Sequence, residues 1–380
     1  MDAFFVSVEE VLDPSLCGKP VIVGGDPDGR GVVAAASYAA RRYGIRSAMP
    51  LGRARRLCSH AIFLRGSLRR YSEFSRRIFD VLRTYSPLVE PMSLDEAFVD
   101  LTGCLRLHGP LLDTAERMRN EIRERVGINA SIGIASNKLV AKVASKGAKP
   151  NGMLWIAPGM ERRFLAPLAV ERIPGIGPKS TVELRRVGVR TVARLAQMPL
   201  DWLERVFGKW GTALYFKARG ICERPVIAEE ADNRSVSRET TLEKDSADPA
   251  FLESVLSYHV EKAAAQLRGD ELFARTVTLK LRYSDFKTVT RCHTLRDATD
   301  DDGVIFHAAS ALFRKLFACC TRVRLVGVSL SSISRYRIQQ TELFAPASPE
   351  RRDRLFHSID RIRGKYGFRS ILKAGSFYKE

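Results

Sequence analysis

The sequence predicts a multidomain α/β protein. The chain has 380 residues, of which 45% are hydrophobic and 28% charged, and this is ample for two to four packed domains. Segments with strand and helix patterns alternate through the first 160 residues, as in a layered α/β domain. A second α/β pattern, in the order βαββαβ, occupies residues 229–335.

The N-terminal part begins with a predicted helix. Asp2 is expected to cap it, which places Phe4, Val8 and Val11 on one face. The elements expected after it are strands at 20–25 and 31–36, helices at 38–43 and 111–126, a strand at 129–134, and a helix capped by Ser136 or Asn137.

An acidic pair, Asp95-Glu96, lies between Pro91 and the apolar run at 97–101. On a regular strand the two carboxylates would point to opposite faces, so they reach one site only if the chain turns after Pro91. Two Mg²⁺ ions roughly 3.5–4 Å apart can hold the attacking and leaving oxygens of a phosphoryl transfer, but they normally need a third carboxylate from another element. The simpler alternative is a solvated acidic turn.

Tyr38 and Arg41 are three residues apart in the predicted helix at 38–43 and therefore share a face. A phenol and a guanidinium placed in this way could bind a triphosphate. A surface arginine beside a half-buried tyrosine accounts for the local pattern equally well.

Residues 173–191 contain Pro174-Gly175-Ile176-Gly177-Pro178-Lys179 and are similar to a helix-hairpin-helix element. Glycines at Gly175 and Gly177 let the backbone approach a phosphate, and N–H groups at the start of the next helix can bind it without reading sequence. Lys179 adds a positive charge. The alternative is a tight structural turn.

The βαββαβ segment consists of strands at 235–242, 274–283, 286–295 and 322–330 and helices at 248–267 and 301–320. Along 274–283, apolar residues alternate with hydroxyl and basic residues that include Lys280 and Arg282, so one sheet face is predicted to be apolar and the other to suit a phosphate backbone. Arg238, Lys287 and Arg291 are expected to extend the second face. A merely solvated polar face is the alternative.

The net charge of +19 and the pI near 9.9 predict a polyanionic partner. Because basic residues are spread along the whole chain, a nucleic-acid duplex fits better than a small acidic metabolite. The sequence has neither an apolar run of about 18 residues nor a leader pattern, so we expect no membrane partner and a cytoplasmic protein. The seven cysteines lack the paired spacing of a zinc site.

Several motifs occur together and in order: Met1-Asp2-Ala3-Phe4-Phe5 and residues 31–41, 44–50, 93–96 and 149–152. This set resembles the Y-family translesion DNA polymerases of the DNA polymerase IV type, over nearly the whole chain. The resemblance implies a right-hand polymerase with an α/β palm (1–10 and 67–160), small fingers (11–66), a helical helix-hairpin-helix thumb (161–228), a βαββαβ little finger (229–335) and a C-terminal tail (336–380).

The resemblance also implies roles for individual residues. Asp95 would be a metal ligand, and Glu96 the catalytic carboxylate beside it. Phe5 would be the steric gate that excludes a 2′-hydroxyl, supported by Phe4; without the resemblance, Phe5 would be interpreted as a core aromatic residue. The remaining implied contacts are triphosphate binding by Tyr38 and Arg41, a phosphate contact by Lys149, and a metal contact by the carbonyl of Met1.

The start of the sequence departs from the family pattern. Family members begin with an apolar strand ending in Asp-Met-Asp, whose first aspartate bridges both metal ions; here that aspartate would precede Met1, and Asp2 matches the second one. Three explanations are open: a start site assigned too far downstream, a chain trimmed at its N-terminus, or an impaired enzyme. The first is favoured because the later motifs are intact.

The tail contains Gln340-x-x-Leu343-Phe344, which resembles the peptide by which bacterial replication proteins bind the sliding clamp. A glutamine amide and two apolar side chains can anchor such a peptide in a preformed cleft. Residues 355–363 are predicted to be helical, with no role beyond packing or regulation.

The resemblance to this family implies a distributive, low-fidelity translesion DNA polymerase. It would use two Mg²⁺ ions, primer-template DNA and dNTP, bind a sliding clamp and act as a monomer. The alternative is a catalytically impaired Y-family homologue that acts as a DNA- and clamp-binding adaptor. A helix-hairpin-helix nuclease is a third hypothesis, but it leaves Phe5, Tyr38 and Arg41 unexplained.

Overall fold

The protein is described here by a computed structural model that covers residues 1–229, 233–317, 321–336 and 349–376. The chain divides into two compact units, Met1–Glu230 and Ala231–Glu380. Among the described residues, no helix combines the length and apolar character needed to cross a membrane.

The first unit combines many helices with three small sheets. Its helices are α1 (Phe4–Leu12), α2 (Tyr38–Arg42), α3 (Leu51–Leu57), α4 (Leu68–Arg83), α5 (Leu105–His108), α6 (Leu111–Val126), α7 (Lys138–Gly147), α8 (Glu161–Leu165), α9 (Pro178–Arg186), α10 (Val192–Ala196), α11 (Leu200–Phe207) and α12 (Lys209–Ala218). Its strands are β1 (Val21–Val23), β2 (Ala35–Ala36), β3 (Ile62–Leu64), β4 (Val89–Pro91), β5 (Ala97–Val99), β6 (Ile132–Ile134) and β7 (Met153–Trp155).

The sheets are short. Strands β2, β1 and β3 form one sheet, in which β1 is antiparallel to β2 and parallel to β3. Strands β4 and β5 form an antiparallel hairpin, whereas β6 and β7 are parallel. The predicted α/β layering is therefore present, although the strands at 31–36 and 129–134 are shorter than expected.

Helix α1 packs against α4 and α6 in a shared core. Val6 and Val8 of α1 are fully buried there, together with Ile78 of α4, while Val11 is 37% exposed and does not belong to the buried face as predicted. The expected cap at Asp2 is also wrong. Ala3 occupies the cap position, and the Asp2 carboxylate instead accepts hydrogen bonds from residues near β6 and β7.

Further apolar clusters lie in the segments predicted to be fingers and thumb. Ile22, Ile45 and Leu51 form the centre of a small cluster around β1, α2 and α3. A larger cluster joins α7 to the helices that follow it, through Leu139 and Leu184 among others.

The second unit has the predicted βαββαβ order. It consists of β8 (Ser235–Ser246), α13 (Pro249–Gly269), β9 (Phe273–Tyr283), β10 (Thr288–Thr299), α14 (Asp302–Leu316) and β11 (Val323–Ser334), followed by α15 (Pro349–Tyr366). The strands are antiparallel in the order β10-β9-β11-β8. Both α13 and α14 contribute to one core with the alternate buried residues of β9, such as Leu279 and Leu281, so the helices cover a single sheet face.

The C-terminal segment, residues 353–376, packs against α13 and α14. Glu261, which is 1% exposed, accepts hydrogen bonds from Arg363 and from the hydroxyl of Ser376. Lys373 is paired with Asp302 at 2.6 Å. Residues 353–376 are thus packed into the second unit, whereas the sequence had left their role open.

Candidate active site and nucleic-acid surfaces

Asp95 and Glu96 lie in the turn of the β4–β5 hairpin. Pro91 pairs with Ala97, and the N–H of Met92 donates to the carbonyl of Glu96 at 2.8 Å, so the chain reverses over residues 92–96. The turn on which a shared site for the two carboxylates depends is therefore present. It frees both carboxylates from the strict alternation of a strand.

Positive groups surround this turn. The Glu96 carboxylate forms an ion pair with Lys142 of α7. Burial alone would raise the pKa of Glu96, but the hydrogen bond and charge of Lys142 outweigh it and lower the pKa. Glu96 is therefore held in its anionic form.

The first two residues contact both sides of this region. The amino group of Met1 donates to the carbonyl of Asp95 at 2.6 Å, and the carbonyl of Met1 accepts from Lys149 Nζ at 2.7 Å. Asp2 is 3% exposed and accepts hydrogen bonds from Ser131 Oγ and from the N–H of Asn151. Its carboxylate thereby holds the 149–151 loop beside the hairpin turn.

The oxygens at this turn have the right chemistry for a divalent cation. Carboxylate and main-chain carbonyl oxygens are the ligands that Mg²⁺ prefers, and Asp95, Glu96 and the Met1 carbonyl supply both kinds. In the described part of the chain, however, no three acidic, histidine or cysteine side chains are grouped to hold a metal. The residues present therefore fit a divalent ion, and they do not assemble the third carboxylate that a two-ion site normally requires.

Tyr38 and Arg41 meet at the start of α2. The Arg41 guanidinium lies 4.9 Å from the centroid of the Tyr38 ring and donates from Nε to the carbonyl of Ala36. The Tyr38 hydroxyl is buried and has no hydrogen-bond partner among the described residues. A cavity of about 210 Å³ is lined by Tyr38, Asp2 and Asn151, so α2 and the 149–151 loop face the same space.

Phe5 is partly buried and stacks on Tyr71 of α4, with ring centroids 4.2 Å apart and an interplanar angle of 13°. Phe4 is 4% exposed and belongs to the core, with its ring 5.8 Å from that of Phe5. Phe4 therefore supports Phe5 by packing.

The predicted helix-hairpin-helix region has a short first helix. A 3₁₀ turn at Val170–Arg172 leads into the hairpin, and α9 begins at Pro178. Gly175 has φ +99°, whereas Gly177 has φ −91° and precedes the helix directly. Gly175, Gly177 and Lys179 are all exposed, so the hairpin backbone and the start of α9 are open to a ligand.

The sheet of the second unit has one face that α13 and α14 do not cover, and this open face is rich in hydroxyl groups. Lys280 and Arg282 of β9 lie on it, and Thr290 of β10 and Gly327 of β11 are directly beside Lys280. Lys280 Nζ forms an ion pair with Glu239 at 2.7 Å, which offsets part of the positive charge.

Two basic residues predicted for this face lie on the other one. Arg238 pairs in register with Val328, which pairs in turn with the buried Leu279, and Arg238 Nη2 donates to Gln266 of α13 at 2.6 Å. Arg291 is directly opposite Leu279 and is on that side too. The prediction was wrong for these two residues because strand register, which the sequence did not reveal, decides which face each one takes.

Two contacts of the site were missed by sequence reasoning. The sequence did not predict the ion pair of Lys142 with Glu96, nor the hydrogen bond from Tyr71 to Glu9. Each partner is far away in sequence, so no local pattern could identify it. The predicted clamp-binding residues Gln340, Leu343 and Phe344 lie outside the described residues.

Comparisons with known proteins match the chain in three parts. The impB/mucB/samB family matches residues 1–146, the C-terminal domain of that family matches 233–343, and the thumb domain of DNA polymerase-iota matches 171–221. The DNA polymerase IV of Dehalococcoides mccartyi is 44% identical over 380 residues, which are 100% of this chain and 96% of the relative. The chain belongs to the Y family of DNA polymerases.

Other Y-family proteins agree in sequence and fold. The DNA polymerase IV of Streptomyces coelicolor is 44% identical over 92% of this chain and 73% of its own length. A Y-family DNA polymerase chimera of Dbh and Dpo4 has a TM-score of 0.77 and 27% identity, covering 87% of this chain and 97% of its own. An insertion ternary complex of Dbh DNA polymerase has a TM-score of 0.62 and the same identity, covering 87% of this chain and 96% of its own. The predicted polymerase fold is confirmed.

Proposed function

We propose that this Y-family chain is a template-directed DNA polymerase that performs low-fidelity translesion synthesis. It joins a primer 3′-hydroxyl to the α-phosphorus of a dNTP and releases pyrophosphate. The observation that supports this best is the clustering of Asp95, Glu96, Lys142 and Lys149 around one hairpin turn. None of the comparisons favours the alternative of an adaptor without activity.

Binding of the triphosphate is assigned to α2 and the 149–151 loop. Arg41 can give a charge-assisted hydrogen bond to phosphate oxygens. The buried Tyr38 hydroxyl has no partner in the described part of the chain and can donate to the same ligand. Lys149, which binds a carbonyl in this structure, is close enough to the turn to contact a phosphate there.

The carboxylates are the proposed metal ligands and the catalytic pair. Asp95, Glu96 and the Met1 carbonyl would hold Mg²⁺, and the proposal of two ions rests on the family resemblance. The chemistry that such ions supply is neutralisation of the triphosphate and orientation of the reacting oxygens. Glu96 is kept anionic by Lys142, as this role requires.

The nucleotide sugar is proposed to lie over Phe5, whose ring leaves no room for a 2′-hydroxyl. Primer-template DNA is proposed to contact the thumb hairpin, through Gly175, Gly177 and Lys179, and the open face of the little finger, through Lys280 and Arg282. These contacts are made to the sugar-phosphate backbone of the DNA and do not read its base sequence.

The remaining proposals concern the whole protein. The domain boundaries are those expected from the sequence, with a palm at 1–10 and 67–160, fingers at 11–66, a thumb at 161–228 and a little finger at 229–335. We further propose a monomer that binds a sliding clamp through Gln340, Leu343 and Phe344. Since the named relatives are bacterial, a cytoplasmic location is also proposed.

Primer extension by Glu96→Gln tests the catalytic proposal. With Mg²⁺ and primed template we expect kcat to fall by about a hundredfold or more, since charge stabilisation at a metal site is worth several kcal/mol and each ~1.4 kcal/mol is a factor of ten. DNA affinity should not change. Asp80→Asn, at an exposed carboxylate of α4, is the control and should extend normally. Extension by Glu96→Gln at the rate of the unchanged protein would refute the assignment.

A further inference from the structure

Glu9 is a buried carboxylate that the proposed reaction does not use. It is 7% exposed and lies four residues after Phe5 in α1, hence on the same face of the helix. Its Oε1 accepts a hydrogen bond from the hydroxyl of Tyr71 at 2.7 Å and lies 3.4 Å from Arg70 Nη2. A carboxylate is rarely buried to this extent without a partner, and here the partners come from α4.

Tyr71 connects Glu9 to the proposed steric gate. Its side chain is 1% exposed, and its ring stacks almost parallel to Phe5 at a centroid distance of 4.2 Å. Phe4 contacts Tyr71 edge-on at 6.4 Å. The ring of Phe5 therefore rests on a phenol that is held at both its face and its hydroxyl end.

Gly66 shows how little space this phenol has. A Cβ atom at Gly66 would lie 3.0 Å from the Tyr71 hydroxyl and 2.9 Å from Cγ1 of Val23. The Tyr71 side chain is thus enclosed by the backbone at Gly66, by the Phe5 ring on its face and by the Glu9 carboxylate at its hydroxyl group. A phenol enclosed in this way has one orientation available, because any tilt loses a charge-assisted hydrogen bond.

We infer that Glu9 and Tyr71 are positioning residues that hold the Phe5 ring and so set the discrimination between deoxyribonucleotides and ribonucleotides. This inference rests on the proposed role of Phe5 as the steric gate. The Phe5 ring can exclude a 2′-hydroxyl only if it cannot move away from the nucleotide sugar. The Tyr71 ring prevents this movement because Phe5 stacks on it, and Glu9 holds the Tyr71 ring in place by accepting its hydrogen bond.

A purely structural role for the pair would leave sugar selection unchanged, and the chain offers a matched control for this. The hydroxyl of Tyr85 donates to Glu121 of α6 at 2.6 Å, so a second buried tyrosine bonds a glutamate in the same unit. Among the described residues, the ring of Tyr85 contacts that of His108, with centroids 5.2 Å apart, and not that of Phe5. Tyr85→Phe should lower the unfolding temperature without changing sugar selection.

The test compares kcat/KM for dNTP and for rNTP in primer extension. Tyr71→Phe keeps the ring and removes the hydroxyl, and Glu9→Ala removes the acceptor; each should reduce the deoxyribose preference by about tenfold, which corresponds to about 1.4 kcal/mol. Glu9→Gln retains an oxygen that can accept from Tyr71 and should retain most of the preference. Unchanged preference in both Tyr71→Phe and Glu9→Ala overturns the inference.

Phe5→Ala separates this inference from the proposed function. If Phe5→Ala abolishes the preference while Tyr71→Phe and Glu9→Ala keep it, Phe5 is the gate but Glu9 and Tyr71 do not position it. If Phe5→Ala keeps the preference, the gate assignment itself fails, and the inference with it. If the inference is right, adding Tyr71→Phe to Phe5→Ala should cause no additional loss, because both changes act through one ring. Should Glu9→Ala fail to fold, Tyr71→Phe and the double variant decide the matter.

Discussion

The imidazole of His259 is buried in α13, and neither ring nitrogen has a hydrogen-bond partner among the residues described. Burial lowers its pKa to about 4, and the nearby positive charges of Lys262 and Arg238 add to the shift, while Glu239 opposes it. His259 is therefore mainly neutral in the folded protein at pH values above about 4. In the unfolded chain it takes up a proton near its ordinary pKa of 6.5.

This difference predicts acid sensitivity of the second unit. Because the folded pKa is depressed, the unfolded state binds the additional proton between pH 6.5 and about 4, and stability is lost as the pH falls through that range. The expected loss from this one group is roughly 3 kcal/mol.

Urea unfolding of the whole chain at pH 7 and at pH 4.5 measures the effect. His259→Gln should lose less stability than the unchanged protein between these pH values, because glutamine does not titrate. An equal loss in both proteins would mean that His259 does not control the acid response.

At the scale of elements, the C-terminal segment is held by a buried ion pair. Glu261 and Arg363 are 1% and 5% exposed, and Glu261 also accepts hydrogen bonds from Ser376 and from the N–H of Lys373. Removing one partner of such a pair leaves an uncompensated buried charge. The free energy of unfolding then falls by more than the intact pair contributes to it.

Glu261→Ala should therefore lower the free energy of unfolding by about 3–5 kcal/mol and release the C-terminal segment to protease. Glu253→Ala is the matched control, since Glu253 is on the same helix but pairs with the exposed Arg314. Glu253→Ala should lower the free energy of unfolding by about 1 kcal/mol or less. Equal losses in the two variants would contradict the importance of the buried pair.

The two glycines of the thumb hairpin differ in what their backbone requires. Gly175 has φ +99°, and a Cβ there would lie 3.2 Å from the Trp210 ring, whereas Gly177 has an ordinary φ and nothing within 4 Å. Gly175 is therefore needed for the fold of the hairpin, and Gly177 is free of that constraint.

We expect Gly175→Ala to destabilise the protein by about 1–2 kcal/mol, because alanine is strained at positive φ. Gly177→Ala should leave the unfolding temperature unchanged and weaken DNA binding, because its methyl group would obstruct a phosphate at the hairpin. Thermal unfolding and fluorescence anisotropy with duplex DNA separate the two effects. Normal DNA affinity in Gly177→Ala would remove this position from the interface.

At the scale of the whole molecule, the net charge of +19 does not lie wholly on the surfaces proposed to contact DNA. The open sheet face presents mainly hydroxyl groups with Lys280 and Arg282, and Glu239 offsets part of that charge. Arg238 lies on the opposite, helix-covered face. Only some of the basic residues are therefore placed to release counterions from a duplex.

DNA affinity should fall steeply with salt and depend little on duplex sequence. Arg282→Gln should reduce the slope of log K against log salt by about 1, because one phosphate contact is lost. Arg238→Gln, a change of the same charge on the other face, should leave the slope unaltered. Equal slopes for Arg282→Gln and the unchanged protein would exclude Arg282 from the interface.

Local patterns predicted most of the elements correctly. The helix predicted at 111–126 from its apolar periodicity is α6, which has the same bounds. Asn137, one of the two expected caps, caps α7. The alternation along 274–283 assigned the two faces of β9 correctly. Each of these depends on residues within a few positions of one another, so a single sequence contains the information.

By itself, the sequence predicted most of the elements, the βαββαβ order, a polyanionic partner and the family to which the motifs point. Tertiary structure alone decided that Asp2 anchors the 149–151 loop, that Arg238 turns away from Lys280, and that Glu9 reaches Tyr71 across 62 positions. The physical reason is that propensity and periodicity act over neighbouring residues, whereas register, buried ion pairs and ring stacking depend on which distant segments pack together.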